Sequence, residues 1–202
     1  MEKGILLPSF YLPPTSFFTQ IKQNRDSVWI ERYEHFPKQT YRNRCVIATA
    51  NGALNLSIPI QKGLKEHTKM KDVKISYDAD WQRLHWMSLQ TAYRSSPYFE
   101  YYEEIFAPFY HKKEVFLFDF NQKLLEETLQ LLKMPVQFFY TEAYQSMPEA
   151  LQDFRAQIHP KRPPLTKSRP YYQVFDDKFG FMPNLSIIDL LCSQGPGAGT
   201  YI

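Results

Sequence analysis

Residues 5–33 read ILLPSFYLPPTSFFTQIKQNRDSVWIERY, and this stretch decides the fold class. The apolar run at residues 5–7 predicts a buried strand, and the β-branched and aromatic run at residues 28–33 predicts a second one. A short amphipathic helix is predicted between them, with an apolar face formed by Phe17, Phe18 and Ile21. Strand, helix and strand within about thirty residues form a βαβ unit, which predicts a parallel sheet.

The most regular pattern in the chain is a β-hairpin at residues 45–60. Asn51-Gly52 suits a type I′ turn, because both central residues of that turn need a positive φ. Between Leu54 and Ile60, apolar and polar residues alternate, which predicts a strand with one buried face. Pro59 places this strand at a sheet edge or marks the end of the strand.

The elements after the hairpin complete an α/β fold. Residues 81–94 and 98–110 have helical spacing, and we expect them to pack on the sheet through Leu84, Leu89, Ile105 and Phe109. Further predicted elements are strands at 73–77 and 136–140, an extended segment at 115–118, and helices capped by Asn121 and Asn184. Residues 1–202 are therefore predicted to form a single domain. Its mixed β-sheet joins the βαβ unit to the hairpin and is flanked by helices.

The composition is that of a soluble globular protein and excludes a disordered chain. Of its 202 residues, 44% are hydrophobic and 22% are charged. The 24 Lys and Arg residues exceed the 21 Asp and Glu residues by a net charge of +3, which is too small to predict nucleic-acid binding. Basic loops at residues 62–71 and 159–170 are the only features in favour of such binding. The second loop is proline-rich, and we expect it to be exposed.

The sequence predicts a cytoplasmic protein. The N-terminal segment has no signal-peptide core, and no apolar run approaches the roughly 18 residues that a membrane span needs. Cys45 and Cys192 cannot form a disulfide framework, so reduced thiols are expected. Nothing in the sequence predicts an oligomeric state.

No metal or cofactor motif is present in the sequence. The five histidines, at positions 35, 67, 85, 111 and 159, have no second His or Cys at metal-site spacing. Walker, dinucleotide-binding and nucleophile-elbow motifs are also missing. We therefore predict no metal and no cofactor. Cys45, in a predicted strand, is interpreted as an inert buried thiol.

Two groups of residues are candidates for binding or catalysis. Trp81 and His85 are one helical turn apart, so the imidazole could serve as a general base or as a hydrogen-bond donor to a substrate. The alternative is a core histidine that is bonded to a backbone carbonyl. Arg42-Asn43-Arg44 suits a carboxylate or a phosphate, and the alternative is a solvated turn with ion pairs to Glu31 or Glu34.

Several segments occur in a fixed order along the chain. They are Tyr11-x-Pro13-x-x-x-Phe17-Phe18-x-x-Ile21, Asn43-Arg44 with Ile47 and Leu56-Ser57-Ile58-Pro59-Ile60, Trp81-x-x-x-His85, Tyr93-x-x-Ser96-Pro97-Tyr98-Phe99, and Gly195 to Tyr201. Together they resemble the WbqC-like proteins of bacteria, from about residue 5 to the C-terminus. The chain departs from that pattern after the second strand, where Arg32-Tyr33 replaces an acidic pair.

The resemblance implies a role in surface polysaccharide (O-antigen-type) biosynthesis, with transfer of an amino acid such as glycine to a sugar. It also singles out His85 as the candidate catalytic residue. The candidate substrate-binding residues that it implies are Tyr11, Asn43, Arg44, Trp81 and Tyr93. Small-molecule partners are expected, such as a nucleotide-sugar, an amino acid or an activated donor. The alternative is a non-enzymatic ligand-binding or scaffold protein that works with glycan-biosynthesis enzymes.

Overall fold

The computed structural model describes residues 4–61, 67–146, 148 and 150–202. In chain order, its elements are β1 (Gly4–Pro8), α1 (Thr15–Gln23), β2 (Val28–Glu31), β3 (Arg44–Thr49), β4 (Gly52–Ser57), α2 (Trp81–Tyr93), α3 (Phe99–His111), α4 (Leu117–Leu131), β5 (Phe138–Tyr140), β6 (Leu151–Asp153), α5 (Asp176–Phe179) and α6 (Ile187–Gln194). Two 3₁₀ turns, Met70–Asp72 and Gly195–Thr200, complete the set. The predicted α/β class is confirmed.

The four parallel strands form one sheet in the order β5-β2-β1-β6. Ile5 pairs with Val28, as the βαβ unit predicts. Side chains alternate between the two faces of a strand, so Ile5, Leu7, Val28 and Ile30 lie on one face, and all four are fully buried in the core. The short strand β6 has no counterpart among the elements that the sequence predicts.

The hairpin is formed as predicted, but it stands as a separate two-stranded sheet. Cys45 pairs with Leu56, and Thr49 pairs with Gly52 across the turn. The hairpin does not extend the parallel sheet, because β5 and β6 occupy the outer sides of β2 and β1. The single mixed sheet of the sequence interpretation is therefore replaced by two sheets packed into one core.

Three local predictions differ from the structure. Residues 73–77 form isolated bridges rather than a strand, through Ile75 with Ile60 and Lys74 with Phe116. Helix α4 begins at Leu117, so Asn121 lies inside it and not at its cap. The side-chain amide of Asn121 donates a hydrogen bond to the buried Arg42 carbonyl, and this bond explains why an asparagine lies inside the helix. In α6 the N-cap is Ser186 rather than Asn184, whose Oδ1 accepts from the Ser16 backbone.

The helices pack their aromatic and aliphatic faces into this core. Leu89 is fully buried, and Ile105 and Phe109 are partly buried against the core, as predicted. Leu84 is 56% exposed, so the prediction that it packs on the sheet is wrong. Leu84 lies on the exposed face of α2, whereas the next residue, His85, is buried. No helix in the described part of the chain is long and apolar enough to cross a membrane.

Candidate functional site

The carboxyl ends of the parallel strands carry a buried ion-pair network. Arg155 contacts Glu31 at 3.0 Å and Asp153 at 2.6 Å. Glu31 is fully buried, and its Oε1 atom also accepts hydrogen bonds from the Tyr33 backbone and the Thr141 hydroxyl. A buried carboxylate needs this number of donors to stay charged. The network therefore fixes the geometry of the sheet edge where open α/β sheets bind ligands.

A second buried pair joins this network to the start of the hairpin. Arg42 makes two hydrogen bonds to Glu34, of 2.7 Å and 2.6 Å. Burial raises the pKa of Glu34, and the Arg42 guanidinium opposes that rise. Arg42 also donates to the Arg155 carbonyl at 3.2 Å. The alternative drawn from the sequence was a solvated turn with ion pairs to Glu31 or Glu34. Arg42 does form an ion pair with Glu34, but this pair is buried.

Tyr11 and His85 meet in a buried hydrogen-bonded chain. The Tyr11 hydroxyl lies 3.0 Å from Nδ1 of His85 and 2.9 Å from the Tyr110 hydroxyl. Tyr11 follows β1, whereas His85 is on α2 and Tyr110 is on α3. The loop after the first strand is thereby tied to both helices. Trp81 packs edge-on against His85, with ring centroids 5.0 Å apart.

Burial determines the protonation of this chain. It lowers the pKa of His85 to about 4, and a backbone hydrogen bond at Ser57 opposes the shift. Because a contact that raises the pKa of an imidazole is made with an acceptor, the partner is the Ser57 carbonyl. His85 is therefore neutral at pH 7, with one nitrogen donating to Ser57 and Nδ1 accepting from Tyr11. Burial also raises the pKa of Tyr11 and of Tyr110.

Asn43 and Arg44 lie next to His85 through the hairpin. Arg44 is paired with Ser57 in the β3–β4 ladder, and Ser57 is the residue whose backbone His85 contacts. The Asn43 side-chain amide donates a hydrogen bond to the Ile58 carbonyl at 2.9 Å. The Asn43 backbone carbonyl accepts one from the Ile58 backbone N–H. Asn43 and Arg44 are therefore connected to His85 through the backbone of Ser57 and Ile58.

Several buried polar atoms have no hydrogen-bond partner in the described part of the chain. Asp189 Oδ1 and Ser193 Oγ are on α6, and the others are Asn43 Oδ1, Arg44 Nε, Trp81 Nε1, Asn121 Oδ1 and Gln122 Oε1. Asn121 is bonded to the Arg42 carbonyl and Gln122 to Ser9, so α4 adds two acceptors to the candidate residues. Because most buried polar groups are paired in proteins, such a set marks a place that can hydrogen-bond a small molecule.

The basic loop begins beside Arg44. The pKa of His159 is lowered by burial and by the charges of Arg162, Lys161, Arg42 and Arg44. Neither Arg44 nor the cations of this loop form an ion pair with an acidic residue of the described ranges. Most of the loop is exposed, as predicted, and it has no helix or strand. The result is a local excess of positive charge next to Asn43 and Trp81.

Tyr93 lies apart from the other candidates. Its hydroxyl accepts a hydrogen bond from the Ala48 backbone and is bonded to the Asp189 carboxylate. Ala48 is four residues beyond Arg44 on the same strand, which corresponds to about 13 Å of extended chain. Tyr11 and Trp81 thus contact His85 directly, Asn43 and Arg44 are connected to it through the hairpin backbone, and Tyr93 lies in a polar cluster with α6.

The sequence was compared with known families and proteins. A model of the WbqC-like protein family matches residues 9–162. The chain belongs to the WbqC-like protein family. Over its whole length it is 24% identical to an uncharacterised protein of Mycobacterium tuberculosis, Rv1507c, of which 98% is covered. No solved structure matches the chain.

Membership of the WbqC-like family suggests a role related to polysaccharide biosynthesis. The matched range contains all six candidate residues and ends before the glycine-rich segment at residues 195–201. That segment forms a 3₁₀ turn after α6. Gly195 has φ +53°, and a Cβ atom there would lie 2.4 Å from the Tyr98 ring, so the turn requires glycine for packing.

Sequence reasoning on this WbqC-like protein missed Arg155 and the role of Asn121 and Gln122. Arg155 follows β6, which is too short for its pattern to stand out. Asn121 and Gln122 are polar residues on the buried side of α4, and polar residues on an otherwise apolar helix face were the available signal. The described residues contain no group of three or more His, Cys, Asp or Glu side chains that could hold a metal ion.

Proposed function

We propose that this WbqC-like protein binds an anionic activated donor and transfers an acyl group, such as that of glycine, to a sugar during surface polysaccharide (O-antigen-type) biosynthesis. The observation that carries the proposal is Arg44. Its Nε atom is buried without a partner among the described residues, and its charge acts on His159, which begins the basic loop that carries Lys161 and Arg162. An unpaired guanidinium among other cations suits a phosphate or carboxylate of the donor.

The neighbouring residues fit the other parts of such a reaction. Asn43 and Trp81 offer an acceptor and a donor toward the same place, and Tyr11 positions the imidazole of His85. The amine or hydroxyl of the sugar attacks the activated carbonyl carbon and forms the new bond to it. His85 takes the proton that the attacking group loses, through the Tyr11 hydroxyl bonded to its Nδ1, and the bond to the anionic leaving group breaks. Arg44 balances the charge on that leaving group.

A second candidate function is ligand binding without catalysis. It is favoured by the burial of His85, which is 5% exposed and has both ring nitrogens engaged. A general base works best with a pKa near the working pH, and burial moves the pKa of His85 to about 4. In this case the protein would hold an anionic intermediate for a partner enzyme.

A binding experiment tests the anion site that both functions share. Nucleotide-sugars, aminoacyl phosphates and free amino acids are screened by thermal shift, and affinities of positive ligands are measured by calorimetry. Arg44→Ala should weaken binding of an anionic ligand by about ten- to a hundredfold, because a charge-assisted contact is worth roughly 1.5–3 kcal/mol. Arg25→Ala is the matched control, since Arg25 is exposed and precedes β2 at the opposite end of the strands.

An activity measurement then separates transfer from binding. With a donor identified, transfer to an amino sugar is followed by mass spectrometry in the wild type and in His85→Gln. A general base contributes roughly 10²–10⁴-fold to the rate, so His85→Gln should lose turnover at nearly unchanged donor affinity. Donor binding with no transfer in the wild type would support the non-catalytic function. If no anionic ligand stabilises the wild type, or Arg44→Ala binds as tightly, the anion site is refuted.

A further inference from the structure

The parallel sheet has a second face that the helices leave open. The core-facing residues alternate with Leu6, Trp29, Phe139 and Leu151, which point to the other side. These four residues form the floor of a pocket of about 930 Å³. Parallel sheets are normally covered on both faces. An open pocket on one face of a parallel sheet therefore needs an explanation, which is either a bound molecule or a function of the exposed surface.

The floor of the pocket is an aromatic platform. The rings of Trp29 and Phe139 are stacked, with centroids 5.2 Å apart and planes at 26°. Both side chains are half-buried, so each still presents ring surface to the pocket. Gly4 lies on the same floor, and a Cβ atom there would lie 2.1 Å from Ser27 Oγ. The aromatic pair is thus apolar, and each ring keeps one face that the other ring does not cover.

Among the described residues, the rim of the pocket is polar and its charged side chains are acidic. Thr141, Glu142 and Gln145 line its wall on the carboxyl side of the strands. Glu142 is exposed and forms no ion pair within the described ranges, whereas the carboxylate of Glu31 is occupied by Arg155. No lysine or arginine is among the described residues that line the pocket. An acidic rim without cations disfavours a phosphate-bearing ligand and favours a neutral or amine-bearing one.

We propose that this pocket binds a pyranose ring, with an amino sugar preferred, as the acceptor subsite of the protein. The apolar face of a pyranose stacks on aromatic rings, and its hydroxyls donate to carboxylate and amide oxygens such as those of Glu142 and Gln145. An ammonium group on the sugar adds attraction to Glu142. The role as acceptor subsite rests on the proposed function, whereas the binding of the sugar does not.

The position of the pocket agrees with separate subsites for the sugar acceptor and the anionic donor. Glu31 is on its wall, and the ion-pair network runs from Glu31 through Arg155 to Arg42, next to Arg44. The neutral or cationic ring and the anionic donor would therefore bind on two sides of the same network. Because the two places have opposite charge, each would reject the ligand of the other.

Sugar binding is measured with methyl β-D-glucosaminide, methyl β-D-glucoside and uridine monophosphate as probes. Ligand-observed NMR gives affinities, and tryptophan fluorescence reports the place of binding. Trp81 and Trp86 are 3% and 8% exposed, and a fluorescence change on sugar binding that is absent in Trp29→Phe comes from Trp29. We expect both glycosides to bind and to change the fluorescence. Trp29→Ala should weaken binding by roughly tenfold, and Trp29→Phe, which keeps a ring, by less.

The charge on the rim is tested separately. Glu142→Gln should reduce the affinity for the glucosaminide by about two- to fivefold and leave the glucoside unchanged, because an exposed ion pair contributes little and only the amine is charged. The matched control is Glu100→Gln, which removes an exposed carboxylate on α3 that does not line the pocket. Unfolding midpoints of all variants establish that the fold is kept.

Three results would overturn the proposal. The first is that neither glycoside binds the wild type, or that a folded Trp29→Ala binds them as tightly. The second is that uridine monophosphate displaces the glycosides from Trp29, which would make the pocket a nucleoside site. The third is a wild-type dimer that becomes monomeric in Trp29→Ala, which would make the face a self-interface. Failure of every anionic ligand to bind the wild type, or an Arg44→Ala variant that binds it as tightly, would refute the proposed function while leaving sugar binding at Trp29 unaffected.

Discussion

The burial of His85 predicts a specific loss of stability in mild acid. In the folded protein burial lowers the pKa of His85 to about 4, from an ordinary value of 6.5. The unfolded chain therefore binds a proton that the folded chain does not bind between these two values. The stability that His85 contributes is complete above pH 6.5 and is lost as the pH falls toward 4.

The magnitude follows from the two pKa values. Relative to pH 7.5, this single group should cost about 2 kcal/mol of unfolding free energy at pH 5 and about 3 kcal/mol at pH 4. His85→Gln keeps a donor toward Ser57 but removes the titrating ring. At pH 7.5 the variant should be less stable than the wild type by roughly 1–3 kcal/mol, because the Tyr11 hydroxyl loses one partner.

Urea unfolding at several pH values measures this effect. Other groups titrate in both proteins, so the difference between wild type and His85→Gln isolates His85. That difference should shrink by about 2 kcal/mol between pH 7.5 and pH 5. An NMR titration of the His85 ring in the wild type gives the pKa directly and does not depend on the variant. A pKa near 6.5, or a difference that stays constant with pH, would refute a buried neutral imidazole.

Four further predictions concern the fold. Arg155→Met should lower the free energy of unfolding in urea by roughly 3 kcal/mol, because Glu31 stays buried with only two neutral donors. Adding Glu31→Gln to the same chain should restore part of this loss. Fully additive effects of the two substitutions would contradict the coupling of Arg155 and Glu31. Gly195→Ala should lower the free energy of unfolding by roughly 2–5 kcal/mol, because it strains the backbone and its Cβ clashes with Tyr98. The control is Gly197→Ala, where a Cβ atom meets nothing within 4 Å. Cys45 and Cys192 are buried, and burial raises the pKa of both thiols, so a thiol reagent should react only on unfolding; fast labelling of the native chain would disprove this. Trypsin should cut the exposed basic loop first after Lys161 and Lys167, since Arg162 and Arg169 precede prolines, and resistance at both sites would count against an accessible loop.

Local sequence patterns predicted most elements of the fold but not their partners. The apolar run of β1, the Asn51-Gly52 turn and the helical spacing of α2 are each complete within a few residues, so the sequence is sufficient to predict them. The hairpin was nevertheless assigned to the wrong sheet. Sheet order depends on β5 and β6, which lie more than a hundred residues after β1 and have only three residues each.

The candidate site shows the same division. Residue spacing and the resemblance to the family singled out Tyr11, Asn43, Arg44, Trp81 and His85, which the structure connects through His85 and the hairpin backbone. Their roles as catalytic or binding residues remain proposals. Spacing did not reveal that Tyr93 lies elsewhere, because its position on α2 has the same helical periodicity as a site-facing residue.

The sequence by itself determined the α/β class, the βαβ unit, the hairpin, the exposed basic loop and the family of this protein. The family follows from the ordered motifs along the chain, and the other features follow from periodicity, turn chemistry and composition, which depend on neighbouring residues. Only the tertiary structure decided that His85 is neutral, that Arg42 is paired with Glu34, and that one sheet face is open over Trp29. Desolvation, ion pairing and pocket shape are sums over side chains from distant elements, so no local stretch of sequence contains them.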